Sequence, residues 1–395
     1  MLHSTRLAAT AGFVALLVGS ASAVPAQAAT NWTSRATSAY QALQQHLYAD
    51  PLYRENHPQQ PTDNPYSYLW PYREAITAAL SLHDAPGSEA VSRRDLATRF
   101  DNVNAYWTGT PGRAGYQSYV TPPLGAGGDL FYDDNAIVGL EFVRGFHATG
   151  DARFIPHAVN ALKAVERGWD TDTTRPCPGG QKWVESDTNT FRAANVTGLG
   201  AQLAAHLYLI RHQRADLEFA RKLFDWNQRC LQQSPGLYWN DISYTGTINT
   251  TLWTYNSGSM IAAATLLYRA THNLAYLRDA VSEAEGALDY WTTGDRLYQQ
   301  PAIFNAYLLN DLLLLHSEAP NPRYRAVFEK YAARLWSDNR DPATGLFYFQ
   351  TSGGGAPDPA NVPRRPWSRP QPCRSSRRWP GGRVTTGASP DPVSH

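Results

Sequence analysis

An all-α chain built as a ring of helix pairs is what this sequence predicts, on three observations. Helical patterns dominate from Asn31 onward, while the Val, Ile and Thr alternation of strands is scarce. The helices are of two kinds, one apolar on nearly every side and one apolar along a single stripe. The two kinds alternate with a period: Asn135, Asn195 and Asn256 each open an apolar helix at spacings of 60 and 61 residues, and Asn305 opens another after a shorter 49. Repeated pairs that cannot bury a face alone must stack on their neighbours.

In chain order, His3 and Arg6 precede an apolar run from Leu7 to Val18 and then small residues, Ala21-Ser22-Ala23 and Ala26-Gln27-Ala28. Residues 1–28 read as an export signal cut after Ala28. The run is too short for a membrane span, and no later stretch reaches ~20 apolar residues. The mature chain is therefore expected to be a soluble, secreted monomer. A helical body over 29–352 follows. It opens with an outer helix near 32–48, an inner one near 68–82 and an outer one near 89–107. The inner stretches 136–146 and 261–268 are apolar on nearly every side, whereas Leu274–Trp291 puts Leu277, Ala280, Val281, Ala284, Leu288 and Trp291 on one stripe. Short polar turns such as Thr149-Gly150-Asp151 separate inner from outer helices. The last outer helix falls near 323–336, which makes eleven; an even ring of six pairs needs a twelfth.

Of the 395 residues 43% are hydrophobic and 17% charged, with a net charge of +1, so a large core is available and a nucleic-acid partner is not expected. Three cysteines remain after the signal. Cys177 enters one inner helix and Cys230 ends the next outer one, both at the same end of adjacent pairs, so a Cys177–Cys230 disulfide is expected and Cys373 is left over.

The run Phe131-Tyr132-Asp133-Asp134-Asn135 sets two adjacent carboxylates at the entrance to an apolar helix, after the flexible loop Leu124-Gly125-Ala126-Gly127-Gly128-Asp129. Acidic residues at a helix start accept hydrogen bonds from free N–H groups and meet the positive end of the dipole, so capping alone could explain them. Their surroundings favour catalysis. In a ring, parallel inner helices gather their N-terminal loops at one end, which collects Tyr66, Tyr68, Trp70, Tyr132, Trp183, Asn195, Trp239, Asp241, Trp253, Tyr255, Asn256 and Phe304. With 12 Trp and 22 Tyr in the chain, that end reads as an aromatic, acid-bearing cleft suited to sugars, although each aromatic taken alone could be ordinary packing.

The runs Phe131-Tyr132-Asp133-Asp134-Asn135-Ala136 and Trp253-Thr254-Tyr255-Asn256-Ser257-Gly258, with the turn Thr149-Gly150-Asp151, resemble glycoside hydrolase family 76, the α-1,6-mannanases, over about residues 31–350. The resemblance implies an (α/α)6 barrel that cleaves α-1,6-linked mannan internally with retention. It implies Asp133 as nucleophile, Asp134 as acid/base and Asp241 as a substrate-binding aspartate; their place in the clustered loops makes Trp70, Tyr132, Asn195, Tyr255 and Asn256 the residues expected around the sugar. Retaining glycosidases need two carboxyl groups ~5–5.5 Å apart, which neighbours at a bent helix entrance can supply. Neither a metal site nor a cofactor motif is evident. Two rivals stay open: a non-catalytic glycan-binding toroid, and another toroid enzyme such as an epimerase or unsaturated-uronide hydrolase. The latter would lean on histidines, yet His147, His206 and His316 fall in the middle or late parts of helices.

The tail over 353–395 departs from the pattern. After Asn361 it is rich in proline and arginine, with no helical period, where the twelfth helix should be. Reading each codon one base earlier changes this. Trp is TGG only, so the Pro366-Trp367 junction becomes Leu, Met or Val. With G at third positions, Arg369 to Cys373 becomes Ala-Ala-Ala-Val, and Ser376 to Trp379 becomes Ala-Ala and then Leu, Met or Val. A shifted reading frame is thus expected; a genuine disordered basic tail is the alternative.

Overall fold

The computed structural model describes residues 26–348. Most of the export segment and the tail lie outside the described residues, as does Cys373. Eleven α-helices are present among the described residues: α1 (Ala26–Leu47), α2 (Leu69–His83), α3 (Arg93–Asn102), α4 (Tyr132–Thr149), α5 (Phe154–Arg167), α6 (Ala194–Arg211), α7 (Arg214–Leu231), α8 (Thr254–Thr271), α9 (Leu274–Trp291), α10 (Ala302–His316) and α11 (Pro322–Asp338). The even-numbered helices are inner and the odd-numbered outer, an α/α barrel. Each inner helix packs on the next in the series from α2 to α10, and α4, α6 and α8 each pack on the outer helix that follows.

Burial follows the sequence pattern. Residues 132–143 of α4, 194–205 of α6 and 254–267 of α8 are buried without a break, as helices without a polar face must be. The outer α9 buries one stripe, Ala280, Glu283, Ala284, Ala287, Leu288 and Trp291. Inner helices approach closely through small residues: a Cβ on Gly258 of α8 would lie 2.7 Å from the Leu308 Cα of α10. The turn after α4 is closed by Gly150 at φ 73°, a left-handed position that glycine takes without strain.

Two features differ from expectation. The helix expected over 89–107 spans only α3, because Ser92 and Asp95 form a capping box that fixes its start, and a 3-10 turn over Val103–Tyr106 follows its end. A small sheet also stands among the helices. Strand Leu237–Ser243 pairs with Ile248–Leu252, Phe191–Ala193 and Gln232–Ser234, all antiparallel. The barrel stays helical, and the sheet occupies loops that lead into α6 and α8. The expected Cys177–Cys230 disulfide is present, with Cα atoms 6.1 Å apart. Among the described residues no helix is long and apolar enough to cross a membrane.

Candidate active site

Helix α4 begins at Tyr132 behind Phe131, which holds an extended backbone and offers no side-chain cap. Asp133 and Asp134 therefore sit inside the first turn, near the positive end of the helix, rather than at the capping position. Both residues are only 2% exposed. Burying a carboxylate is costly unless donors converge on it, and around Asp133 they do. Its Oδ2 accepts from Trp183 Nε1 at 3.1 Å and from Asn195 Nδ2 at 2.9 Å, and its Oδ1 accepts from the Asp134 backbone N–H at 3.0 Å.

Three parts of the chain build that arrangement. The loop bearing Trp183 is tied across the helix start, where Trp183 O accepts from the Tyr132 N–H at 2.9 Å and Phe131 bridges to Val184. Asn189 braces the same loop: its Oδ1 accepts from the N–H groups of Trp183 and Val184, while its Nδ2 donates to Phe191 O and Tyr244 OH. The second residue of α6 supplies Asn195. Strand Leu237–Ser243 supplies Asp241, whose register partner Ala193 directly precedes α6. Asp241 Oδ2 accepts from Asn240 Nδ2 at 2.8 Å and Asn249 Nδ2 at 2.9 Å. Burial pushes the Asp241 carboxyl up, and these two amides pull it part of the way back.

Opposite, aromatic rings gather around Phe304 at the start of α10. Trp70 stacks on it at 5.7 Å, Tyr255 lies at 4.4 Å and Trp253 meets it edge-on at 5.4 Å. Trp70 Nε1 donates to Glu74 Oε1 at 2.8 Å. Trp183, Trp239, Trp253, Tyr66 and Tyr68 are half-buried.

The expected site residues divide accordingly. Asp133, Asp134 and Asn195 come together with Trp183, and Asp241 sits in the strand beside them. Trp70 joins the opposite aromatic wall, 7% exposed. The other three expected residues are packed. Tyr132 packs in an apolar cluster with Leu130, Ala164, Ala193 and Val196, and a Cβ on Gly168 would lie within 3 Å of its ring. Tyr255 is a packing partner of Phe304. Asn256 is fully enclosed, and neither Oδ1 nor Nδ2 has a hydrogen-bond partner among the described residues. Sequence reasoning missed Asn240, Asn249 and Asn189. Asn249 could have been found from the turn Tyr244-Thr245-Gly246, which marks a hairpin pairing it with Asp241.

Beneath the site lies a charged interior. The Arg73 guanidinium donates to Glu74 at 2.7 Å, to Tyr307 OH at 2.7 Å and to Glu141 at 2.5 Å. Burial works against the Arg73 charge, but Glu141 and Glu74 outweigh it and hold its pKa above the usual value. The histidines are remote from Asp133. His147 and His206 lie in the second halves of α4 and α6 with rings 6.5 Å apart, and burial pushes His206 down to about 3. His316 ends α10. Among the described residues no group of three or more His, Cys, Asp or Glu side chains could hold a metal ion.

The family model of glycosyl hydrolase family 76 matches residues 31–352. The chain belongs to this family. It is 29% identical over 157 residues to a Schizosaccharomyces pombe protein named as a mannan endo-1,6-alpha-mannosidase, a match covering 36% of this chain and 35% of that relative's length. Among solved structures, the family 76 mannosidase Bt3792 of Bacteroides thetaiotaomicron superposes with a TM-score of 0.70 at 23% identity, over 80% of this chain and 90% of that one. An inactive variant of the α-1,6-mannanase GH76A of Salegentibacter sp., with two consecutive aspartates replaced by asparagine and α-1,6-mannotriose bound, superposes with a TM-score of 0.64 at 23% identity, over 80% and 90% of the two chains. Dfg5 of Chaetomium thermophilum, in complex with glucosamine, superposes at 0.62 and 16% identity, over 84% and 83%.

Proposed function

We propose that this protein is a secreted endo-acting α-1,6-mannanase that works by double displacement with Asp133 and Asp134. The observation that carries the reading is the convergence of Trp183, Asn195 and the Asp134 N–H on Asp133. Donors at both oxygens keep this carboxylate oriented as an acceptor, which suits a group that attacks an anomeric carbon. In the first step Asp133 forms an ester to C1 of the mannosyl unit as the C1–O bond to the leaving sugar breaks, and the leaving oxygen takes the Asp134 proton. In the second, Asp134 accepts a proton from water, the water oxygen bonds to C1 and Asp133 leaves. The Salegentibacter mannanase, inactive once two consecutive aspartates are replaced and bound to α-1,6-mannotriose, supports the pair and the linkage. The half-buried Trp and Tyr rings suit the C–H faces of the sugars, and Asp241 with Asn249 suits their hydroxyls.

Incubation with linear α-1,6-mannan tests the reading. New reducing ends of intermediate length are expected; binding without cleavage would favour a glycan-binding toroid, and neither cleavage nor binding a different sugar enzyme. Export is tested by sequencing the N-terminus of protein collected from the medium, which should begin at Ala29.

A further inference from the structure

The inner helices that end the series, α10 and α2, do not pack on one another as the others do. Helix α10, Ala-Ile-Phe-Asn-Ala-Tyr-Leu-Leu-Asn-Asp-Leu-Leu-Leu-Leu-His, is apolar nearly all round, the pattern of a helix with neighbours on every side. Yet Ala306 and Asn310 are exposed, and Leu313 and Leu314 only half-buried. On α2, Ser81 is exposed and Thr77 and Ala78 are half-buried. Between them runs an apolar slot of about 320 Å³, walled by four helices: Ala39 and Leu43 of α1, Ala78 of α2, Ile303 and Ala306 of α10, and Leu335 of α11. A second cavity of about 480 Å³, reaching Arg73, Glu141 and Asp311, lies on its inner side and shares Ala306.

Those four helices are the neighbours a twelfth, inner helix would have in a ring of six pairs. The chain itself arrives at the slot. Phe347 and Tyr348 line it, and Tyr348 is fastened there by two hydrogen bonds with Asn339, Tyr348 N to Asn339 O at 3.0 Å and Asn339 Nδ2 to Tyr348 O at 2.8 Å. In every earlier repeat an outer helix and its loop lead into an inner helix. Residues 349–395 lie outside the described residues, and their sequence, with Pro370, Pro372 and six arginines between 364 and 378, lacks the apolar pattern of an inner helix.

We propose that the slot is the seat of an apolar inner helix encoded by the same stretch of gene read one base earlier, so that the tail as given is a frame-shifted version of the natural one. The shifted reading turns the junctions before Trp367, Cys373 and Trp379 into Leu, Met or Val and those before Pro370, Gln371 and Pro372 into alanine wherever third bases are G, while the junction before Arg374, behind a cysteine codon that ends in C or T, reads Pro, Ser or Gln. The codons from 367 to 379 supply 13 residues, about 20 Å of helix, close to the 15 residues of α2 and of α10. Small and branched apolar side chains match a slot walled by alanine, leucine and isoleucine. The proposal concerns the barrel's closure and is independent of which sugar it cleaves.

Two readings test it. Resequencing codons 355–395 from the source gene should reveal one additional base near codon 361; an unchanged sequence overturns the frame assignment. The second reading compares the full chain as given with the chain carrying that inserted base, by thermal unfolding. The restored protein should melt more than about 5 °C higher and bind less of a dye that reports exposed apolar surface. A chain as given that is too unstable to purify, beside a restored one that melts cooperatively, supports the proposal equally. Ala306→Arg should lower the midpoint of the restored protein and leave the chain as given unchanged. Equal midpoints for the two proteins, or equal effects of Ala306→Arg in both, would overturn the slot as the helix's seat.

Discussion

The arc from α4 to α8 and the seam between α10 and α2 are built from the same kind of helix and reach different ends. In the arc every inner helix has neighbours on all sides, and burial runs unbroken for twelve residues or more. At the seam an equally apolar α10 keeps Ala306 and Asn310 exposed, and only side chains cross the gap, Trp70 on Phe304 and Arg73 to Tyr307. The difference teaches that an all-round apolar pattern states what surroundings a helix requires. The candidate nucleophile and its donors belong to the complete side, on α4, α6 and the loop braced by Asn189. The seam contributes Trp70 and Phe304 to the aromatic wall, and the start of α8 adds Trp253 and Tyr255.

That comparison can be broken in order of expected effect. Asp133→Asn and Asp134→Asn, in the arc, should each lower kcat on α-1,6-mannan by at least about 10³-fold without moving the melting midpoint by more than a few degrees. Wild-type turnover in either variant would remove the mechanism. Trp183→Phe or Asn195→Ala deletes one donor to Asp133 and should cost about 10²-fold in kcat with KM little changed; an effect confined to KM would assign these side chains to substrate binding instead.

Stability separates the two regions next. Gly258→Ala puts a methyl group 2.7 Å from the Leu308 Cα and should cost about 1–3 kcal/mol by overpacking, whereas Ser81→Ala at the exposed seam should stay within about 0.5 kcal/mol. Equal losses in chemical denaturation would erase the distinction. The smallest effect is electrostatic. Burial pushes the Asp311 carboxyl up from the usual 3.8 to about 7, so the folded protein holds a proton that the unfolded chain releases. The resulting stability is fully present below pH 3.8 and is lost as pH rises through about 7. Asp311 is half-buried beside the inner cavity, so solvent screening trims the effect to about 1–2 kcal/mol. Asp311→Asn should flatten the stability profile between about pH 4 and 7; a profile parallel to wild type would contradict this.

Much of the barrel was legible because inner helices announce themselves twice, by an opening asparagine and by an apolar run. Asn135, Asn195, Asn256 and Asn305 all fall within the first turns of their helices. The sheet was only partly legible: the turn Tyr244-Thr245-Gly246 marks the hairpin of Leu237–Ser243 with Ile248–Leu252, but the pairing with Phe191–Ala193 joins residues some fifty positions apart. At the site, the sequence placed Asp133 and Asn195 at one end of the ring but could not say which way neighbouring residues face. Successive helical residues point about 100° apart, so Tyr132 turns to Gly168 and the core while Asp133 turns to Trp183 and Asn195. Asn256 illustrates the same limit, since its position in the repeat matches Asn195 while its side chain is enclosed.

The most direct test of the central claim is the configuration of the sugar first released from linear α-1,6-mannan, read by proton NMR within minutes of mixing and before mutarotation. A pair of aspartates acting as nucleophile and acid/base requires the α-anomer to form first. The β-anomer as first product would contradict the double displacement assigned to Asp133 and Asp134.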